Sequence, residues 1–281
     1  MIVDSQIHLW KAETEDWKWS PGSHAQLDQP FTIERALGLM DDAGVERAIV
    51  VPPSWTGDRN DYGLEAHHRY PDRFGVMGRF PLRDPANAAL VPRWRNQPGM
   101  LGVRLTFLGP SAAWLENGTA DWFWPVAESA QLPVMYLALG AGGAAMAKIA
   151  ERHPKLPLIV DHMGMVKGGS LELSEAISCT LELAKYENVS VKLSAIANNS
   201  REPYPFRDYT PHLKRLFDAY GPDRCYWGTD VTNGLDRATY NERVTSFVEV
   251  TSTFMTPDEQ KLVMGAALLK RLCWPPTRKA L

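Results

Sequence analysis

Short apolar segments alternate with amphipathic ones along almost the whole chain, and this alternation constrains the fold more than any other feature. Eight apolar segments have the length of buried β-strands, and each begins a unit of roughly 25 to 40 residues that continues into a helix or loop. The strand candidates are MIVDSQIHL, RAIVVPP, FGVMGRF, MLGVRLTF, PVMYLAL, LPLIVDHMG, NVSVKLSAI and RCYWGTD. Eight βα units in succession predict parallel strands joined by crossovers, the pattern of a (β/α)8 TIM barrel.

An open, doubly wound sheet is the main alternative for such an alternation. That fold usually begins with a G-x-G-x-x-G turn after its first strand, and this chain has none. A length of 281 residues also suits a barrel, which typically needs about 250. We therefore predict one α/β barrel domain over residues 1–281. It ends in an extra C-terminal helix over MTPDEQKLVMGAALLKRL, where Thr256 and Glu259 form a capping box.

The composition is ordinary for a globular protein, with 44% hydrophobic and 22% charged residues. A formal charge of −3 gives no reason to expect nucleic acid or an anionic membrane as partner. No apolar run reaches the roughly 20 residues of a membrane span, and a first strand at residue 2 leaves no room for a secretory signal. Three scattered cysteines indicate reduced thiols. We expect a cytoplasmic protein acting on a small molecule; formation of a homo-oligomer is left open.

Polar residues mark the predicted strand ends, where a barrel of this kind carries its catalytic groups. In strand order these residues are Gln6 and His8, Arg79, Arg104, Tyr136, His162, Lys192 with Ser194, and Asp230. His8 and His162 interrupt apolar strands, so we interpret them as catalytic, with hydrogen-bonded structural histidines as the alternative. Asp230 at the end of the eighth strand is placed to deprotonate a water, although a carboxylate there also suits a helix cap.

Two arginines are candidates for binding a carboxylate on the substrate. Arg104 lies in a strand that reads as buried, so it needs an anionic partner, either an internal acid or the substrate. Arg201, in the loop after the seventh strand, offers a second bidentate donor, with a solvated surface arginine as the equal alternative. Tyr136 either donates a hydrogen bond to the ligand or packs at the rim, and Lys192 is assigned to substrate binding.

The segments DSQIHLW, DHMG, VKLSAI and WGTD, in this order, resemble the amidohydrolase superfamily. The similarity is to the amidohydrolase-related branch with 2-pyrone-4,6-dicarboxylate lactonase, L-fuconolactonase and related sugar or muconate lactonases. This resemblance implies that Asp230 activates water while His8 and His162 polarise the attacked carbonyl. It also implies that Arg104 and Arg201 hold a substrate carboxylate, with Tyr136 beside them.

Gln6 departs from that family, because it stands where the first strand usually carries its first histidine. A neutral amide is a much poorer zinc ligand than imidazole. Tyr136 likewise occupies a strand on which metal-binding members commonly carry Lys or His. We therefore expect no tightly bound metal, with the Gln6 amide joining the two imidazoles around an oxyanion. One divalent metal, such as zinc on His8, His162 and Asp230, is the alternative.

These observations predict a hydrolase that opens the ring ester of a small carboxylated lactone. Without a metal, an activated ester suits this residue set better than a stable amide. A metal-dependent decarboxylase or hydratase acting on an aromatic or unsaturated acid is the second hypothesis. The third is a barrel that has lost catalysis and binds a small acid. The identity of the lactone and the role of the first loop as a lid are left open.

Overall fold

The computed structural model describes residues 1–166 and 168–275, and it confirms the predicted TIM barrel. Eight parallel strands pair in sequence order, each with the next along the chain. The strands are β1 (Val3–Ile7), β2 (Arg47–Val50), β3 (Phe74–Arg79), β4 (Met100–Phe107), β5 (Val134–Ala138), β6 (Leu158–Val160), β7 (Val189–Ser194) and β8 (Cys225–Gly228). Each of the eight predicted segments contains one of these strands.

Helices link consecutive strands and pack outside the barrel. The α-helices are α1 (Ile33–Asp42), α2 (Asp61–Arg69), α3 (Phe123–Ser129), α4 (Gly143–Arg152), α5 (Leu173–Glu182), α6 (Ile196–Asn199), α7 (Thr210–Tyr220), α8 (Tyr240–Thr251), α9 (Pro257–Lys261) and α10 (Ala267–Leu272). Between β3 and β4 the link is a 3₁₀ helix, with Pro85 at its start and Pro92 inside, where the missing N–H disfavours an α-helix. Among the described helices, none combines the length and apolar character required to cross a bilayer.

The first helix illustrates why these segments fold as they do. Thr32 caps α1, its hydroxyl accepting a hydrogen bond from the Arg35 N–H at 3.2 Å. Ile33, Ala36 and Met40 are buried, and their spacing of three and four residues places them on one helical face. That face packs against the sheet, as the apolar periodicity of the sequence predicts.

The C-terminal helix begins as predicted but does not run straight. Thr256 caps it and Glu259 completes the capping box. A π-helical turn, Leu262–Ala266, then divides it into α9 and α10. Gly265 in this turn lies so close to the chain start that a Cβ there would be 2.8 Å from the Met1 carbonyl oxygen. The helix therefore bends to pack under the first residues of β1 and closes the end of the barrel where the strands begin.

The barrel closes between β8 and β1 largely through one carboxylate. Asp4 is fully buried and accepts hydrogen bonds from the backbone N–H groups of Gln6 and Thr229, each at 2.9 Å. Its other oxygen accepts from the Thr229 hydroxyl and, at 2.6 Å, from the Tyr240 hydroxyl. Just above, the Asp230 N–H donates to the Gln6 carbonyl at 3.0 Å. Asp4 is thus a structural acid at the seam of the barrel.

Candidate active site

The two histidines and the aspartate singled out above lie immediately beyond their strands. His8 follows β1, while His162 and Asp230 lie two residues after β6 and β8, in turns rather than on the strands as the sequence suggested. His162 (φ 51°) and Asp230 (φ 50°) both adopt left-handed backbone conformations, as does Ala195 (φ 60°) after β7. Such conformations cost roughly 1–3 kcal/mol each and cluster at functional sites. Here the turns direct both side chains inward.

The three side chains meet in one cavity at the carboxyl ends of the strands. His8 Nε2 is 3.1 Å from Asp230 Oδ1, and His162 Nε2 is 4.0 Å from Asp230 Oδ2. The cavity, of about 310 Å³, is called the central cavity below. Its walls include His8, Gln26, Ser54, Arg104, Thr106, Leu137, His162, Met165, Asn198, Asp230 and Asn233. The predicted convergence of two imidazoles and a carboxylate is present.

Hydrogen bonds to the Nδ1 atoms orient both imidazoles. His8 Nδ1 is 2.7 Å from the Val51 carbonyl oxygen, which can only accept, so this nitrogen carries a hydrogen. A hydrogen bond from His8 Nε2 to Asp230 therefore requires a doubly protonated ring. His162 Nδ1 lies 2.8 Å from the Ser194 hydroxyl. In both rings, Nε2 remains on the side of Asp230.

Burial sets the charge state of His162. Desolvation lowers the pKa of His162 below its usual value, and the neighbouring carboxylates of Asp230 and Asp161 offset this only in part. The ring is therefore neutral near pH 7. A neutral imidazole can donate one hydrogen bond from Nε2 when Nδ1 accepts one from Ser194.

Two asparagines that the sequence analysis missed hold the Asp230 carboxylate. Asn233 Nδ2 lies 2.9 Å from both carboxylate oxygens, and Asn198 Nδ2 lies 3.1 Å from Oδ2. Burial raises the pKa of Asp230. In acid, however, the charge of the protonated His162 ring and the hydrogen bonds from His8 and Asn233 outweigh burial and hold that pKa well below its usual range. Asp230 is thus ionised at neutral pH. The D-x-x-N spacing after β8 was the available signal for Asn233.

Arg104 pairs with an internal acid, the first of the two partners that the sequence left open. Its Nε donates to Asp161 Oδ2 at 3.0 Å, and its Nη1 donates to the Thr106 hydroxyl at 2.7 Å. It also lines the central cavity. Lys192 occupies the other oxygen of the same acid, with Nζ 2.8 Å from Asp161 Oδ1. An internal acid therefore positions Arg104 without removing it from the cavity.

Three predicted substrate-binding residues are not in the cavity. Lys192 is fully buried against Asp161. Tyr136 is also fully buried, in the layer between the strands and the helices. Successive strand residues face opposite sides, so Leu137 is the β5 residue that reaches the cavity. The Arg201 side chain is 82% exposed and bonds to Glu172 at 2.6 Å, so it is a surface arginine.

Gln6 is also buried, and its side-chain amide lies between Lys192 and His8. Its Oε1 accepts a hydrogen bond from Lys192 Nζ at 2.6 Å, which turns Nε2 towards His8 Nε2 at 3.5 Å. Gln6 therefore contacts His8 without lining the cavity itself. Within the described ranges, no group of three or more His, Cys, Asp or Glu side chains is arranged to hold a metal. That the reaction proceeds without a metal stays a prediction.

The chain resembles known proteins in both sequence and structure. A family model described as amidohydrolase matches residues 3–267. An L-fucono-1,5-lactonase of Burkholderia ambifaria is 24% identical over 233 residues, covering 81% of this chain and 79% of that protein. A 4-sulfomuconolactone hydrolase of Rhizobium radiobacter is 28% identical over 217 residues, covering 72% and 68%. A crystal structure of an amidohydrolase from Burkholderia multivorans, with HEPES bound, has a TM-score of 0.82 at 19% identity, covering 98% and 100%.

Proposed function

Because the chain belongs to the amidohydrolase family and is a hydrolytic enzyme, we propose that it opens the ring ester of a small carboxylated lactone by attack of water. One observation carries this proposal: the ionised Asp230 and the imidazoles of His8 and His162 share a cavity with Arg104. The two relatives named above, both lactone hydrolases by name, support the same reaction.

Asp230 acts as the base in this proposal. Its carboxylate is ionised at neutral pH, because His162, His8 and Asn233 hold its pKa down. A water bound between Asp230 and the ester attacks the carbonyl carbon and passes a proton to the carboxylate as the new C–O bond forms. The ring C–O bond then breaks, and the leaving alkoxide takes the proton back from Asp230, which regenerates the carboxylate. The product is an open hydroxy acid.

The two negative charges of the reacting substrate each have a partner in this proposal. The developing oxyanion faces His162 and His8, and the substrate carboxylate faces Arg104. The neutral His162 donates from Nε2 to the carbonyl oxygen, where negative charge develops, and His8 flanks the same position. In the described part of the chain, Arg104 Nη2 has no hydrogen bond, so it can donate to a substrate carboxylate. The site thus has a base, oxyanion donors and a cation.

The test is a lactone panel followed by proton release, comparing L-fucono-1,5-lactone, a muconolactone and 2-pyrone-4,6-dicarboxylate. On the best substrate, Asp230→Asn is expected to lower kcat by about 10² to 10⁴-fold, because the amide cannot accept the proton from water. Circular dichroism checks that the variant is folded. Full activity of this variant would show that Asp230 is not the base.

We also propose that hydrolysis needs no tightly bound metal, which the amide at Gln6 supports. Metal-stripped and metal-replete enzyme are expected to hydrolyse the best lactone at equal rates. One firmly bound zinc or manganese per chain, with activity lost on chelation, would instead favour the decarboxylase or hydratase alternative. The family assignment sets aside the third hypothesis, a barrel that only binds a small acid.

A further inference from the structure

A second cavity adjoins the central one and is called the side cavity here. It has a volume of about 370 Å³ and shares Ser54, Arg104 and Thr106 with the central cavity. Arg79 at the end of β3 also lines it. We propose that the side cavity is a subsite for an anionic group of the substrate, a carboxylate or sulfonate, with Arg79 as its ligand. This inference rests on the proposed function and extends it.

Arg79 is a buried charge with little neutralisation. Its side chain is 13% exposed, and its nearest carboxylate oxygen, on Asp58, lies 3.9 Å from Nε. The buried Nε has no hydrogen-bond partner among the described residues. Burial and the like charge of Arg104 lower the pKa of Arg79 to about 10. An anion that accepts a hydrogen bond from the unpaired Nε would therefore stabilise this buried guanidinium.

The neighbouring groups favour an anion over a neutral ligand. Thr106 Oγ1 receives Arg104 Nη1 at 2.7 Å and Arg79 Nη1 at 3.5 Å, so both guanidinium groups meet at one hydroxyl. The charged side chains lining the side cavity are Arg79, Arg83, Arg104, Asp58 and Asp84, a net charge of +1. One oxygen of Asp84 is engaged in capping, accepting from the Ala86 N–H at 2.9 Å. Asp161 already pairs with Arg104 at 3.0 Å, whereas the acid nearest to Arg79, Asp58, lies 3.9 Å away and is half exposed.

The position of Arg79 determines which substrates it favours. The side cavity borders the central cavity at Arg104, so a molecule that spans both can place one group there while its ester faces Asp230. A lactone with an anionic arm on the side opposite the attacked carbonyl fits both cavities. A neutral sugar lactone leaves Arg79 without an acceptor. Arg79 is therefore a specificity-determining residue that favours substrates with a second negative charge.

The experiment measures binding, so it does not depend on turnover. Calorimetry with glutarate and its monomethyl ester compares two ligands of similar size that differ by one negative charge. Wild-type enzyme is expected to bind glutarate about 10-fold or more tightly than the ester, the worth of a hydrogen bond between charged groups. Arg79→Gln is expected to reduce this preference to about twofold or less. Arg207→Gln is the matched control, since it removes an exposed arginine bonded to Glu249 and is expected to keep the wild-type preference.

Each outcome decides the proposal. No diacid preference in the wild type, or an undiminished preference in Arg79→Gln, overturns it. Should Arg79→Gln fail to fold, Arg79→Lys is the second test. An ammonium keeps the positive charge but cannot donate the paired hydrogen bonds of a guanidinium. A reduced preference for the diacid in Arg79→Lys supports the subsite, and an unchanged preference overturns it. A folded Arg79→Gln variant whose affinities for glutarate and for its monomethyl ester fall by the same factor also overturns the proposal. Diacid binding through Arg79 without lactonase activity would overturn only the proposed function.

Discussion

At the residue scale, the orientation of one amide decides how Asp230 is held. Arg243 is buried and donates from Nη1 to Asn198 Oδ1 at 2.8 Å. That contact fixes the amide with its nitrogen towards Asp230, where Nδ2 donates to the backbone oxygen at 3.0 Å and to Oδ2 at 3.1 Å. Arg243 has no contact with the cavity in the described chain, so it is a positioning residue that acts through Asn198.

Arg243→Met is therefore expected to change the pH profile of the enzyme. Without the guanidinium, the Asn198 amide can turn and Asp230 loses a donor, so the depressed pKa of Asp230 rises towards its usual value. The acidic limb of kcat/KM against pH is therefore expected to move to higher pH. Arg271→Met is the control, because Arg271 donates to the Asn188 carbonyl away from the cavity. An unmoved limb in folded Arg243→Met would contradict this role.

At the element scale, a glycine allows β8 to approach β1. A Cβ on Gly228 would lie 2.3 Å from the Ser5 hydroxyl oxygen and 3.2 Å from the Ser5 backbone nitrogen. A side chain fits there only if the Ser5 hydroxyl turns away and the neighbouring atoms give by a few tenths of an ångström. Gly38 differs, since a Cβ there meets no atom within 4 Å and the residue lies inside α1.

The two glycines are expected to respond to alanine in opposite directions. Gly228→Ala is expected to destabilise the protein by about 1–3 kcal/mol, because the added methyl overpacks the junction of two strands. Gly38→Ala is expected to stabilise it by about 0.5–1 kcal/mol, because alanine loses less backbone entropy in a helix. Urea unfolding monitored by circular dichroism measures both changes. A Gly228→Ala midpoint equal to wild type would refute the close packing.

At the scale of the whole molecule, the closure of the barrel depends on Asp4. Its carboxylate receives two backbone N–H groups and two hydroxyl groups from opposite sides of the seam. Burial raises the pKa of Asp4, and the hydrogen bonds from Thr229, Tyr240 and Gln6 offset this only in part. The folded state therefore binds the Asp4 proton more tightly than the unfolded chain does.

Replacing Asp4 tests the seam and its pH dependence together. Asp4→Ala is expected to lower the free energy of unfolding by about 3–5 kcal/mol, because several buried donors lose their acceptor at about 1–3 kcal/mol each. Asp4→Asn is expected to cost less, because the two hydroxyl groups can rotate to accept from its amide. Since a raised pKa contributes stability that is lost as pH rises, the advantage of wild type over Asp4→Asn is expected to grow as pH falls. A constant difference would contradict a titrating Asp4.

The sequence predicted the barrel and the meeting of His8, His162 and Asp230, because parallel strands bring their carboxyl ends together. It did not predict which β5 side chain enters the cavity. A strand buried on both faces consists of continuous apolar residues. PVMYLAL therefore lacks the alternation of polar and apolar residues that would show which of Tyr136 and Leu137 faces the cavity. The position of Arg201 depended on the path of a long loop, which composition does not specify.

Thr229 and Asp230 are neighbours, one tied to the seam and the other facing the cavity. Random substitution of this stretch to alter the substrate range is therefore expected to yield many variants that do not fold. Productive libraries belong elsewhere on the wall, around Ser54, which is exposed and lines both cavities.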